Sequence, residues 1–324
     1  MATGTVDINA ILNQTVGCLF VGLLFELLFY GVSLAQTVYY YHEYPGDRIY
    51  IRALVAIVWT LDTARTGCDL QFLWALLVDS HANLAGLTQF TKPAIAEFFL
   101  AGLITLIVQC YYIWSIWQFL AAKWPRVVLT TSMVLFALLS FCGGLVSVYD
   151  FTPDPALAAT LDRMKIAASI QTVSAVVTDV YIAIALTIIL RGKRTGFRGT
   201  DSLITMLVAF AIQRGVLTAL MQFLHFATYI GTFKEGATKL IWALFHFPGG
   251  KIYTNSFLAV LNIRHWLREV PATRGRIEDI ELATSKSGNS SRQIIRGAQI
   301  HIDREVYSDL PLGRKAGSRS MFQV

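Results

Sequence analysis

The sequence predicts an all-α polytopic membrane protein: a seven-transmembrane-helix bundle with its N-terminus outside and a C-terminal tail in the cytosol. Three observations carry this expectation. Apolar residues make up 55% of the 324 residues and charged residues only 15%, against about 25% charged in soluble domains. The chain contains seven apolar runs, each long enough for a helix to cross a hydrocarbon core of about 30 Å. Lys and Arg concentrate on alternate connecting segments, the bias that keeps short loops cytosolic.

The runs fall at roughly 15–40, 49–78, 94–120, 126–149, 165–190, 202–229 and 239–265, with ends uncertain by about two to four residues. A short N-terminus, 1–14, precedes this transmembrane domain of 15–265, and a tail, 266–324, follows it. Met1 to Leu12 carry no basic residue, so the first span is expected to act as its own insertion signal rather than as a cleaved peptide. Tyr44-Pro45-Gly46-Asp47 stops the first helix, because proline lacks an N–H and glycine loosens the backbone. Lys123-Trp124-Pro125-Arg126 is expected to form a tight hairpin between spans three and four. Asp150 to Asp154, with Pro153 inside and Pro155 just beyond, and the basic stretch Arg191 to Asp201 separate the next spans. Tyr39, Tyr40 and Tyr41, Trp117, Trp124 and Trp266 sit near span ends, as interfacial aromatic residues do.

Orientation follows from counting basic residues. Loops one, three and five and the proximal tail hold twelve: Arg48, Arg52, Lys123, Arg126, Arg191, Lys193, Arg194, Arg198, Arg264, Arg268, Arg274 and Arg276. The other side holds five: Lys92, Arg163, Lys165, Lys234 and Lys239. The surplus that makes the net charge +6 is thus explained by membrane topology and needs no nucleic-acid partner. Asn13-Gln14-Thr15 is a glycosylation sequon on the outer side, which makes Asn13 a candidate acceptor.

Seven ionisable residues lie deep within spans: Glu26, Asp62, Arg65, Asp69, Asp179, Arg214 and Lys251. Each charge costs about 2.5–3.5 kcal/mol at the bilayer centre, so such groups face the bundle interior and pair. Asp62, Arg65 and Asp69 stand three and four residues apart, on one helix face, and are expected to form a local acid–base–acid ladder. Glu26, Tyr30, Ser33 and Thr37 form a second polar stripe; Arg214, Thr218, Gln222 and His225 a third; Lys251, Asn255 and Asn262 a fourth. Span three is mildly polar, through Thr105, Gln109 and Tyr112. Span four carries no such stripe and is expected to face mostly lipid. This interior layer, with His225 and Asn255, is the candidate ligand-binding site, and a purely structural network is its alternative.

Phe247-Pro248-Gly249-Gly250-Lys251 is expected to interrupt the seventh helix near its middle, as broken helices do where backbone lines a cavity. The four cysteines, Cys18, Cys68, Cys110 and Cys142, all fall in or beside apolar runs and are read as small packing residues. No cofactor motif, metal-ligand spacing or catalytic constellation is present, so neither an enzyme nor a cofactor is expected.

Three groups of residues carry a family resemblance: Val38-Tyr39-Tyr40-Tyr41 with Tyr44-Pro45-Gly46-Asp47-Arg48, Trp59-Thr60-Leu61-Asp62-Thr63, and Lys251-Ile252-Tyr253-Thr254-Asn255-Ser256 with Leu261-Asn262-Ile263-Arg264. With these the chain resembles a large family of multi-pass proteins in basidiomycete fungi described as a domain of unknown function. The resemblance implies a seven-helix membrane protein and supplies no catalytic residues. Rhodopsin-like receptors differ: the third span here ends in Trp117-Gln118-Phe119, without an acid–Arg–aromatic motif.

The tail turns rich in Ser, Gly and Arg and is expected to be largely disordered. Gln299 to Val306 alternates weakly and is a candidate strand for a cytosolic partner. Three functions compete. A receptor-like or sensory protein with a small-molecule ligand leads, a transporter or proton-coupled carrier using the midplane acids follows, and a membrane hydrolase is third. The expected location is the plasma membrane or another secretory-pathway membrane, with the lipid bilayer as the main partner.

Overall fold

The computed structural model of the chain describes residues 12–79, 91–120, 123–150, 157–192, 198–233 and 239–263, all within one compact unit, Met1–Arg274. Those residues are helical apart from 44–48, 91, 120 and 239–242, with no strand among them. A π-helical turn at Asn13–Gly17 leads into α1 (Cys18–Glu43). Next come α2 (Ile49–Trp74), which runs into a π-helical turn at Ala75–Asp79, and α3 (Lys92–Phe119). α4 (Lys123–Asp150), α5 (Leu157–Gly192) and α6 (Arg198–Phe233) follow, and α7 spans 243–263. Each expected run coincides with one helix. Readings made for the tail, for Asp154 and for Lys193 lie outside the described residues.

The helix ends follow local chemistry. α1 stops at Glu43 because Tyr44 leaves the helical region at φ −119° and Pro45 cannot continue it. Asp47 holds this turn by accepting from the Tyr40 hydroxyl at 2.9 Å. Thr91, extended at φ −88° and ψ 160°, precedes α3, and Pro93 sits inside its first turn, where a missing N–H costs nothing. The same chemistry corrects the expected hairpin: Lys123-Trp124-Pro125-Arg126 is the first turn of α4, not a loop. Arg126 lies 3.8 Å over the Trp117 ring and so ties that turn to the end of α3.

Four stretches, Asn13–Glu43, Lys92–Phe119, Trp124–Asp150 and Arg163–Gly192, are long and apolar enough to cross a membrane. At 28 residues and 1.5 Å per residue, α3 is about 42 Å long, more than a bilayer core needs. α2 carries Asp62, Arg65 and Asp69 in its middle, which lowers its hydropathy. From α1 to α6 each helix packs against the next, and α3 also meets α5.

The distribution of side chains is inverted relative to a water-soluble domain. Leu28, Leu135, Ile166 and Ile188 are 62% to 75% exposed, while Glu26, Asp62, Asp179 and Lys251 are 0% exposed. Apolar patches of that extent are rare on soluble monomers and suit a hydrocarbon surround. Two apolar clusters occupy the two ends of the bundle. One gathers Tyr40, Val55, Val58, Ile116, Ile182, Phe257 and Leu261; the other gathers Leu19, Leu76, Ala94, Met164, Tyr229, Trp242 and Phe247. Along each of α1, α2, α3, α5, α6 and α7 the buried ionisable residues fall between these clusters. α4 lacks them and leaves Val128, Leu135 and Val146 exposed, as expected of a lipid-facing helix.

α1 meets the start of α7 closely. A Cβ on Gly22 would stand 2.7 Å from the Ala243 carbonyl oxygen, whereas one on Gly31 would meet nothing within 4 Å. Gly22→Ala is therefore expected to cost about 1–3 kcal/mol in thermal unfolding of the purified protein, because backbone must shift. Gly31→Ala serves as the control and should be neutral or slightly stabilising.

Candidate functional site

The interior charges form two linked groups. In the first, the Lys251 ammonium donates to Asp62 Oδ1 at 2.9 Å, to the Asp62 carbonyl at 3.1 Å and to Thr66 Oγ1 at 2.5 Å. It also lies 3.3 Å from Glu26 Oε1. Ser33 and Thr254 each donate to Asp62 at 3.2 Å, and Thr66 donates to Glu26 at 3.3 Å. Three helices thus meet at one carboxylate: α1 through Ser33, α2 through Asp62 itself and α7 through Lys251 and Thr254.

Arg65 adjoins this group. Its Nε donates to Glu97 of α3 at 2.7 Å and stands 4.0 Å from Asp69. The local ladder expected on α2 is therefore corrected. Asp62, Arg65 and Asp69 do share a buried face, but the close partners of Asp62 and Arg65 are on other helices. Three- and four-residue spacing brings charges onto one face; it does not stop a better-placed group across the interface from winning. Glu97 is also taken by the His246 imidazole, whose Nε2 is 3.1 Å from Oε2. His246 stacks on Phe98 at 4.9 Å and faces His225 at 5.0 Å between ring centroids.

The second group centres on Asp179 of α5. Arg214 Nη2 and Gln109 Nε2 each donate to Oδ1 at 3.1 Å, and the Tyr253 hydroxyl donates to Oδ2 at 2.5 Å. The Arg214 guanidinium lies 3.9 Å over the Tyr112 ring, a geometry that stabilises a desolvated cation. Gln222 donates to the Tyr253 oxygen at 3.3 Å. Four helices, α3, α5, α6 and α7, converge here. Tyr253→Phe removes one hydrogen bond to a buried carboxylate and is expected to cost about 1.5–3 kcal/mol, read as a fall in unfolding temperature.

Seven sequence-expected residues, Glu26, Asp62, Arg65, Asp69, Asp179, Arg214 and Lys251, lie in this layer, all buried. Asn255 stands apart: its amide donates to the Phe29 carbonyl at 3.0 Å on the α1 side. Asn262 does the same to Gln36 at 2.8 Å, so the pair clamps α7 to α1. His225 lies on the α6 stripe beside a cavity described below. The sequence reasoning missed Glu97, which sits one turn inside α3, near enough to the expected span start to be taken for an interfacial residue. It also missed Tyr253 and His246. With Glu97 included, five buried acids face Arg65, Arg214 and Lys251.

The seventh helix corrects another expectation. α7 is helical from 243 to 263 and passes through Pro248, Gly249 and Gly250 without a break. Pro248 is the sixth residue of α7, so the helix continues through it at the loss of one i→i−4 bond, to the Leu244 carbonyl. The need for glycine is at Gly250 and is steric: a Cβ there would overlap the Arg65 guanidinium, Nη1 foremost. Arg65 reaches Glu97 across the notch this glycine leaves in α7.

Beside the layer, α2 through α7 line a cavity of about 110 Å³. Phe98, Phe141, Phe226, Trp242 and Phe245 supply aromatic walls, and Arg65, Gln109, Gln171, Gln222, His225 and His246 supply polar groups. Arg65 Nη1 and Nη2 and Gln109 Oε1 are buried and make no hydrogen bond. The four cysteines are free thiols, Cys110 and Cys142 exposed on the bundle's outer face.

An apolar exterior around an interior of ionisable side chains defines a helical membrane protein with a polar core. Residues 175–266, which run from within α5 to three residues past α7, match a family of unknown function, DUF6534. No curated protein and no solved structure matches the chain.

Proposed function

We propose that the chain is a seven-span membrane protein, N-terminus outside and tail in the cytosol, whose bundle interior binds a small ligand in a receptor-like role. The single observation that carries the ligand reading is the cavity, whose aromatic walls are joined by the polar side chains of Gln171, Gln222, His225 and His246. Sites of mixed apolar and polar lining are where small molecules bind. The seven-span reading is supported by the seven helices and by the Lys and Arg asymmetry. Its orientation puts the Tyr44 to Asp47 turn on the cytosolic side and the start of α7 near the outer side.

Thermal unfolding of the purified protein against a panel of small molecules tests the ligand reading. Saturable stabilisation by at least one single-ring compound, lost on Ala168→Phe, is the expected result, because a phenyl group at Ala168 fills the cavity from α5. Membrane-impermeant thiol labelling of single cysteines placed in each loop tests the topology; accessible sites from outside in loop one would refute it. A second reading, proton-coupled transport, is favoured by the excess of buried acids over fixed bases. It requires flux in reconstituted vesicles that Asp62→Asn abolishes.

A further inference from the structure

We infer that Asp69 is a proton-binding site: its carboxyl group holds a proton at neutral pH and donates it in a hydrogen bond to the Glu26 carboxylate. This site lies in the charged layer and does not depend on the cavity holding a ligand.

The first group of charges does not balance. Its acids are Glu26, Asp62, Asp69 and Glu97, all 0% to 2% exposed. Its fixed bases are Arg65 and Lys251. Even with the His246 imidazole counted as a cation, four acids face three bases among the described residues. Asp179 and Arg214 pair with each other and add nothing to this group. A buried carboxylate without a compensating charge takes up a proton rather than stay ionised. One proton closes the balance.

Hydrogen bonding decides which acid holds it. Asp62 accepts from Lys251, Ser33 and Thr254. Glu97 accepts from Arg65 and bonds His246. Glu26 accepts from Thr66 through Oε1, the oxygen that faces Lys251 at 3.3 Å. Asp69 accepts no hydrogen bond among the described residues, and its one cation, Arg65 Nε, is 4.0 Å away. Asp69 Oδ2 and Glu26 Oε2 are both buried without a partner. Yet the two carboxyl groups stand within hydrogen-bonding reach of each other. Two carboxylates that close repel; one proton turns the contact into a charge-assisted hydrogen bond. Asp69 is the donor, because Glu26 keeps Lys251 and Asp69 has no such cation. A metal ion is a poorer fit: among the described residues no three His, Cys, Asp or Glu side chains converge as its ligands would. A proton needs only the two groups present.

The charged groups that face Asp69 are Glu26 from α1, Arg65 from α2 itself and Glu97 from α3. Lys251 and His246 of α7 stand behind Glu26 and Glu97. Loss of the proton would set Asp69 against Glu26 and make it a competitor of Glu97 for Arg65. Glu97 in turn holds His246, which lines the cavity. The proton on Asp69 thus fixes which acid Arg65 serves.

Infrared spectra of the full-length protein, in a detergent free of ester carbonyls and at neutral pH, test the site. The carbonyl stretch of a protonated carboxyl group is expected, shifted in D2O. Asp69→Asn should remove it. Glu26→Gln should remove it too, since three acids then face three bases. Stability follows the same proton. Above about pH 5 an unfolded aspartate is ionised, so unfolding releases the proton and the folded state weakens as pH rises. Up to the pH at which the band disappears, each pH unit should lower the parent's folded-to-unfolded ratio about tenfold more than that of Asp69→Asn. No band in the parent, a band unchanged in either variant, or parallel pH slopes overturns the inference. A band that sodium chloride abolishes overturns it in favour of a metal cation. If Asp69→Asn fails to fold, the parent labelled with carbon-13 at its aspartate carboxyl groups decides: the band must shift, and an unshifted band overturns the inference.

Discussion

Lys251→Met is expected to destabilise the protein by about 3–5 kcal/mol, read as a large fall in unfolding temperature and in the yield of folded material. The methionine fills most of the volume, so the loss is electrostatic. Lys251 is 0% exposed and is the cation that Asp62 and Glu26 share. Removing it leaves two carboxylates buried with only hydroxyl donors, Ser33, Thr66 and Thr254. Asp62→Asn in the same chain should recover part of the loss, because it removes one of the two uncompensated charges. A double variant no better than the single would show that Lys251 acts through packing alone. Asn255→Ala, one turn along α7, touches only the Phe29 carbonyl and should cost about 1 kcal/mol or less.

Gly250→Ala is expected to cost about 3 kcal/mol or more, a large effect for one methyl group. The new Cβ would occupy the volume of the Arg65 guanidinium. Arg65 cannot withdraw without giving up the 2.7 Å contact that neutralises Glu97, and a broken buried pair costs more than simple overpacking. Gly249→Ala is the control: its Cβ would meet Met221 at 3.6 Å, an ordinary contact. Equal unfolding temperatures for the two variants would show that neither glycine is needed for a close approach and that the pair serves only to loosen the helix.

Much of the fold is legible in the sequence. The seven apolar runs each coincide with one helix, the element that satisfies a long apolar stretch's backbone within itself. The charged layer was legible for a related reason. An ionisable residue inside an apolar run cannot face lipid, so Glu26, Asp62, Arg65, Asp69, Asp179, Arg214 and Lys251 had to turn inward. Two readings of proline-containing segments failed. Lys123 to Arg126 looks like a hairpin but begins a helix, because proline is as acceptable in a first turn as in a loop. Pro248-Gly249-Gly250 looks like a break but lies within a continuous helix. Glycine pairs signal close approach as readily as flexibility, and which one applies depends on what stands opposite.

The sequence by itself determined that the chain is helical, with apolar residues outside and ionisable ones inside, because burial of charge and exposure of hydrocarbon depend on composition and period alone. Only the tertiary structure decided who pairs with whom: Asp62 with Lys251, Arg65 with Glu97, and Asp179 with Arg214, Gln109 and Tyr253. It alone showed Glu97 as part of the layer, Gly250 as the notch for Arg65, and a cavity beside them. Pairing depends on the rotation and depth of each helix against its neighbours, and these are set by packing across interfaces between residues up to 226 positions apart, as for Phe29 and Asn255. No periodicity within one helix encodes that.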